Sequence, residues 1–404
     1  MKYRIRLLCL SAAISAAALL AACGGGGSAS GSFQGAGGLS VALTDAPSCG
    51  FDAVNVTVNK VRAHQSAVAG DNDPGWADIT LNPARKINLL DLTNGVLEQL
   101  GQVNLVAGHY TQLRLVLDPN LGSGFANSVV PAGTVNEISL DTPSSVQSGV
   151  KLGNQFDVVS GLRTDLVLDF DACKSIVQKG NGGFALKPVV KVIPTDLNGI
   201  DGFINPALLN NHVMVTAQQN GTVVRSTAPD MTTGEFLLAR LAPGNYDVVI
   251  TADNSASTVI ANVPVTSTTG KVVVSSANVP INLQSAATAA GIISGTVTLN
   301  PASATEIGYV AAKQSFAAGP TVTIKYQGAN VTTGAYALNL PTAAPQLGQF
   351  STNLPIVFAT QTNTRPGTGK YALEASANGY LTISNPSVDI TNANQSGINF
   401  TLTP

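Results

Sequence analysis

Charged side chains are scarce in this chain: Asp, Glu, Lys and Arg make up 11 % of 404 residues. Aromatic residues are scarcer, at 5 % with a single Trp, and there are three His and four Cys. Each shortage excludes something. Few, unclustered Lys and Arg leave no surface for neutralising phosphates, which sets nucleic-acid binding aside. His64, His109 and His212 lie far apart and form no HExxH pattern and no pairing with Cys at metal-binding spacing. There is no GxSxG segment for a serine nucleophile, and the Gly runs do not follow a strand and open a helix as a phosphate-cradling loop does. After the first 22 residues, no run is long and apolar enough to cross a bilayer as a helix.

What remains is a composition rich in Ala, Val, Thr, Ser, Gly and Asn. Val and Thr suit pleated surfaces, and Gly and Asn suit turns, so the expected class is an exported all-β protein.

The N-terminus carries the strongest local signal. Lys2, Arg4 and Arg6 precede the apolar stretch Leu7 to Leu20, which ends in Leu20-Ala21-Ala22-Cys23. That order describes a secretory signal too short to span a membrane. Leu and two small residues before Cys resemble the lipobox of bacterial lipoproteins. The resemblance implies cleavage before Cys23, diacylglyceryl and N-acyl (palmitate-type) groups on that residue, and a membrane partner. Gly24 at the following position implies the outer membrane of a diderm envelope. Removing Lys2, Arg4 and Arg6 from the 21 basic residues leaves 18 against 23 acidic ones. "GGGGSASGSFQGAGG" behind the cysteine reads as a flexible tether, with an end-to-end distance of about 20 Å.

Alternation with one apolar face, the mark of a half-buried strand, begins at Leu39. "VNVTVNKV" puts Val54, Val56 and Val58 on one face, and "TQLRLVLD" does the same with Leu113, Leu115 and Leu117. "INLLDLTNGVLEQL" is the best helical candidate, shortened by Gly95 and Gly101. The segments "LSVALTDAP", "VNVTVNKVRAH", "INLLDL", "LVAGHYTQLRLVL" and "LVLDFDACKSIVQKGNGGFALKPVVKV" together resemble the DUF4382 family over about Gly38 to Pro194. That resemblance implies a lipoprotein context and a β-rich domain, and no activity.

"APDMTTGEFLLARLAPGNYDVVITADN" then resembles a carboxypeptidase regulatory-like domain, a prealbumin-type β-sandwich. Here Gly234 turns the chain, Phe236 and Leu238 enter a core, and Tyr246, Val248 and Ile250 fill one face. "ANVTTGAYALNL" echoes it, so Thr232–Phe236 and Thr332–Tyr336 form an internal repeat. About Pro341 to Thr368 interrupts the second copy as a long loop or extra hairpin. Gly108-His109-Tyr110, Gly244-Asn245-Tyr246 and Gly369-Lys370-Tyr371 each precede an alternating strand, which predicts tyrosines tied to nearby backbone as in tyrosine corners. The expected organisation is 1–22 signal, 23–37 lipidated Cys and tether, 38–197 DUF4382-like domain, 201–285 regulatory-like sandwich, and 289–404 a more divergent sandwich. The expected fold is tandem β-sandwich domains (Ig-like or prealbumin-like), stacked in file as a rod and monomeric.

Cys49 and Cys173 remain once Cys9 leaves with the signal and Cys23 is acylated. Two thiols in an exported domain are expected to form one disulfide, worth roughly 4–5 kcal/mol in the chain-entropy account. No cofactor is expected. Carboxylates are where a site has room to hide. Asp169 and Asp171 alternate across Phe170 and with Asp165 present one acidic strand face, able to hold calcium or act as an acid–base pair. Asp71, Asp73 and Trp76 in "AGDNDPGW" have the makings of a ligand-contact tip or calcium loop. The alternatives are a solvated face and a polar hairpin. The reading is a non-enzymatic envelope lipoprotein for binding, adhesion or scaffolding. Its rivals are a carbohydrate-binding component and a carboxylate- or metal-dependent enzyme in the first domain.

Overall fold

The opening strand Ala36–Ala46 follows the Gly-rich segment directly and buries Leu39, Val41 and Leu43. The computed structural model describes residues 35–46, 50–121, 124–142, 148–180, 182–193, 198–303 and 306–404. The signal, Cys23, most of the tether and Cys49 lie outside those residues, as does the Cys173 side chain. Of the described residues 54 % is strand and 4 % helix, so the chain is all-β.

In the first domain, the opening strand lies between Arg163–Asp171, parallel to it, and Glu98–Val106, antiparallel; Val190–Ile193 adds to the outside of Arg163–Asp171. A larger sheet is built around Phe51–His64, which pairs with Ala77–Asn88, Gln112–Leu117 and Ser128–Pro131. One core joins the two sheets: Leu39, Val41, Leu43, Leu168 and Phe170 from the first, Val54, Val56, Val58, Leu113 and Leu115 from the second. The predicted faces are therefore the buried ones. Gln112–Leu117 exceeds the prediction, because Arg114 on its other face is also buried, at 1 % exposure.

The helical candidate contracts to a single 3-10 turn, Leu89–Leu92, with the Asn88 side chain accepting from Leu90 N. Asn94 and Gly95, both at positive φ, end it. Leu100 belongs to the strand Glu98–Val106 instead. A four-residue helix, Ala172–Ser175, is capped by Asp171.

The second and third domains share one plan. Gly199–Phe203 pairs antiparallel with Glu235–Ala239 and parallel with Lys271–Val273; Gly291–Leu299 pairs likewise with Ala335–Leu340 and Phe400–Leu402. Opposite stand Thr222–Thr227, Met214–Gln219, Gly244–Thr251 and Thr258–Val265 in one domain, matched by Thr321–Gly328, Tyr309–Phe316, Lys370–Ser376 and Ile383–Asp389 in the other. The Thr-Thr-Gly repeat is a repeated loop. Asp230 Oδ1 accepts from Thr232 N and Thr233 N at 2.9 and 2.7 Å, and Asn330 Oδ1 accepts from Thr332 N and Thr333 N at 2.9 and 3.0 Å. Phe236, Leu238, Tyr246, Val248 and Ile250 enter the core as expected.

The tyrosines behave as corners. Tyr110 donates to Val106 O and Tyr246 to Ala242 O, each four residues back, whereas Tyr371 donates to Pro341 O across the insertion. The insertion leaves its own domain. Gln346–Gln349 pairs parallel with Thr258–Val265, extending the second domain's sheet, and Ile356 is buried in that domain's core. Val249 and Val259 of the second domain, in turn, pack into the third domain's core.

Residues Gly35–Pro404 make one compact unit. The file of domains expected from sequence is not found, since the first domain touches both others and those two interlock. The second and third domains share apolar core residues, and the first meets them through hydrogen bonds and a buried ion pair.

Candidate functional site

Three acidic residues of "LRTDLVLDFDA" end up with three separate partners. Asp165, at the strand's exposed start, pairs with Arg163 at 2.7 Å. Asp171 caps the short helix by accepting from Lys174 N and pairs with Lys174 Nζ, both at 3.1 Å. Asp169 meets Arg225 of the second domain, and both side chains are below a tenth exposed. Burial pushes the Asp169 carboxyl above its ordinary range; Arg225 opposes that shift and Asp171 adds to it. The shared face predicted for Asp169 and Asp171 exists, but it is an interface. The three do not converge as cation ligands, and among the described residues no group of three or more His, Cys, Asp or Glu is placed to hold a metal.

Around this pair the domains are clamped. Asn94 Oδ1 accepts from Thr227 Oγ1 at 2.7 Å and from Leu237 N at 3.0 Å. Arg240, buried beside Arg225, donates to Gly95 O at 3.2 Å. The third domain joins through Tyr309 OH, which donates to Lys174 O at 3.1 Å, and through the Tyr326 ring, 5.1 Å from Lys174 Nζ. Among the described residues Asp169 lines only a crevice of about 10 Å³, shared with Asn94, Arg225 and Arg240, which is room for about one water. The junction's chemistry is that of a lock: paired, buried charges whose separation would leave each ion without its partner.

Trp76 is likewise occupied. Its ring lies 4.6 Å from the Arg62 guanidinium and 4.5 Å from that of Arg114, cross-strand neighbours, and its indole N–H donates to Gly70 O at 2.8 Å. Asp71 pairs with buried Arg114, and Asp73 accepts from Gly70 N at 2.8 Å. The expected ligand tip is thus a self-bonded loop sealing one end of the first domain, with its aromatic face spent on two cations.

A concave feature that sequence reasoning missed lies where the domains meet. A cleft of about 1600 Å³ is walled by all three, among them Asp91, Gln178, His212, Asp253 and Lys325. His212 Nδ1 and Asp253 Oδ2 are 2.6 Å apart. Burial lowers the Lys325 pKa, with Asp253 opposing. No periodicity marks such a cleft, because its walls are far apart in the chain.

Comparison with known proteins bears on the first domain. Residues 36–188 match the family described as "Domain of unknown function (DUF4382)". No curated protein matches the chain. Among solved structures, the TIE protein of Bacillus anthracis aligns at 12 % identity and TM-score 0.17, covering 91 % of this chain and 50 % of that one. A leucine-rich repeat protein from Bacteroides thetaiotaomicron aligns at 13 % and 0.16, over 62 % of this chain and 27 % of that one. The Corynebacterium diphtheriae major pilin SpaA aligns at 12 % and 0.19, over 90 % of this chain and all (100 %) of the pilin. The chain therefore spans half or less of the first two, and no functional assignment is drawn from these likenesses.

Proposed function

We propose that the protein is a non-enzymatic lipoprotein of the bacterial cell envelope, acylated on Cys23 and holding a DUF4382 domain and two carboxypeptidase regulatory-like sandwiches for binding, adhesion or scaffolding. One observation carries the non-enzymatic part: the carboxylates that the sequence offers for catalysis, Asp165, Asp169 and Asp171, are each paired with an Arg or Lys, and the most buried lies inside a domain junction. The anchor is supported by Leu20-Ala21-Ala22-Cys23 and the Gly-rich segment behind it. Two or more acyl chains give durable attachment, where one is marginal at about 0.8 kcal/mol per buried methylene.

The shared plan of the two later domains supports their common type. A ligand of this scaffold, a glycan or a protein, fits the three-domain cleft better than the Trp76 loop, whose ring is already covered. The test has two parts. Radiolabelled palmitate is expected in the wild type and absent from Cys23→Ser; label in the variant overturns the anchor. Protease added to intact cells is expected to remove a surface-displayed form, and full protection assigns the protein to the periplasmic side.

A further inference from the structure

The strands of the first domain give it two distinct ends. At one end lie the start of the opening strand at Ala36, Val106 paired with it, the turn 159–162, and the 65–76 loop that follows His64. At the other lie Ala46, Phe51, Asp171 and the short helix. All the contacts described above with the second and third domains, through Asn94, Gly95, Asp169 and Lys174, are at this second end. Phe51–His64 runs the distance between the ends, about 40 Å at the usual rise.

The first end is also apolar where it has no need to be. Val68, Val106, Val159 and Leu162 are 91, 50, 54 and 61 % exposed. Gly161 N donates to Ala36 O and Ala107 N to Gly35 O, so Val106, Val159 and Leu162 surround the point where the upstream chain joins. Eleven residues, Gly24 to Gln34, separate Cys23 from Gly35. They reach about 20 Å as a Gly-rich coil and at most about 40 Å fully stretched. Turning the second end to the membrane would need the stretched limit, and the other two domains occupy that end.

We infer that this first end is a lipid-facing surface: Val106, Val159 and Leu162 rest on the bilayer beside the anchor, and the domain acts as a stand-off holding the junction and cleft away from lipid. The inference rests on acylation of Cys23. At this end Arg114, His109 and Arg163 are each paired with an acid, Asp71, Asp157 and Asp165, so there is no cationic excess and the contact does not depend on anionic lipid. The anchor supplies proximity, which turns a weak apolar contact into an intramolecular one.

Full-length acylated protein in phosphatidylcholine vesicles bearing a nitroxide on the headgroup tests it. Tryptophan is placed at the first end (Leu162→Trp, with Val159→Trp as a second probe) or at the second (Val135→Trp, in the exposed turn beside Asp52), and wild type supplies the Trp76 background. Quenching at Leu162→Trp and Val159→Trp is expected to exceed that at Val135→Trp by about twofold or more, given the separation of the ends. Equal quenching at the two ends, in protein that floats with the vesicles and carries acyl label, overturns the orientation alone. Loss of both flotation and label overturns the anchor and the orientation with it.

Discussion

Gln218 in the second domain and Thr323 in the third pair as neighbouring strands do, with a side-chain amide in place of one backbone. Gln218 Nε2 donates to Thr323 O at 2.7 Å, and Thr323 N donates to Gln218 Oε1 at 2.8 Å. Both residues are buried, so the amide satisfies two backbone groups that water cannot reach. Gln218→Ala leaves both unpaired and is expected to cost about 2–4 kcal/mol. Denaturant unfolding measures it, and a change below half a kcal/mol would show that the domains separate before they unfold.

Arg225→Ala removes the cation opposite Asp169 and is expected to cost about 3–5 kcal/mol at neutral pH. The Asp169 pKa is already raised in the folded protein, and losing Arg225 raises it further. Only between the ordinary Asp value and the folded one does the folded state hold a proton that the unfolded chain has released, so the contribution is full below the ordinary Asp range and falls as pH rises through the folded value. The variant is expected to recover stability on acidification relative to wild type. Unfolding curves at neutral pH and near the ordinary Asp pKa, about 4, read the difference, and Asp169→Asn in the Arg225→Ala background should abolish it.

The two Thr-Thr-Gly loops make matched predictions. Gly234 and Gly334 have φ of +75° and +70°, and a Cβ on either would lie 2.3 Å from a carbonyl oxygen, that of Ile204 or Val297. Alanine at either position is expected to destabilise by about 2–3 kcal/mol, through strain at positive φ plus the clash. A large effect at one glycine and none at the other would mean that the repeat is one of sequence only.

Ile356 lies in the third domain's insertion yet is buried in the second domain's core. Ile356→Ala is expected to cost about 2–4 kcal/mol and to loosen Thr258–Val265, the strand that the inserted hairpin covers. Hydrogen exchange reads this directly: faster exchange is expected at Val259 and Ile260, with Leu338 unchanged.

Burial pushes the Tyr336 hydroxyl up to about 12, and Tyr371 and Tyr309 are raised as well. Each contributes stability that is complete below the ordinary tyrosine pKa, near 10, and is lost as pH rises through the folded value. Tyrosinate absorbance should therefore appear late, together with alkaline unfolding, rather than as a separate early titration.

Much of the fold was legible because period-two alternation reports a face regardless of what covers it. Val54, Val56, Val58, Leu113, Phe236, Leu238 and Tyr246 all lie where that period places them. One turn was legible as well, since Gly234 turns the chain where the sequence places it, at positive φ; that Asp230 and Asn330 cap their loops was not. The helical reading of Leu89 to Leu100 failed because two positive-φ residues, Asn94 and Gly95, cut it and sheet pairing took the remainder. Asp169 and Trp76 misled in one way. A polar or aromatic residue looks available in a sequence until the partner that occupies it, Arg225 or the pair Arg62 and Arg114, arrives from elsewhere in the chain.

The sequence by itself determined an all-β chain of tandem sandwiches, the repeated Thr-Thr-Gly loop, and the tyrosines that close their turns. These are local patterns, settled within one or two strands by alternation and turn geometry. Only the tertiary structure decided that the domains interlock rather than follow in file, that the insertion belongs to its neighbour's sheet, and that the acidic strand is a lock rather than a site. Those outcomes depend on which apolar edge and which buried charge find a complementary surface, and complementarity between distant segments leaves no periodic trace along the chain.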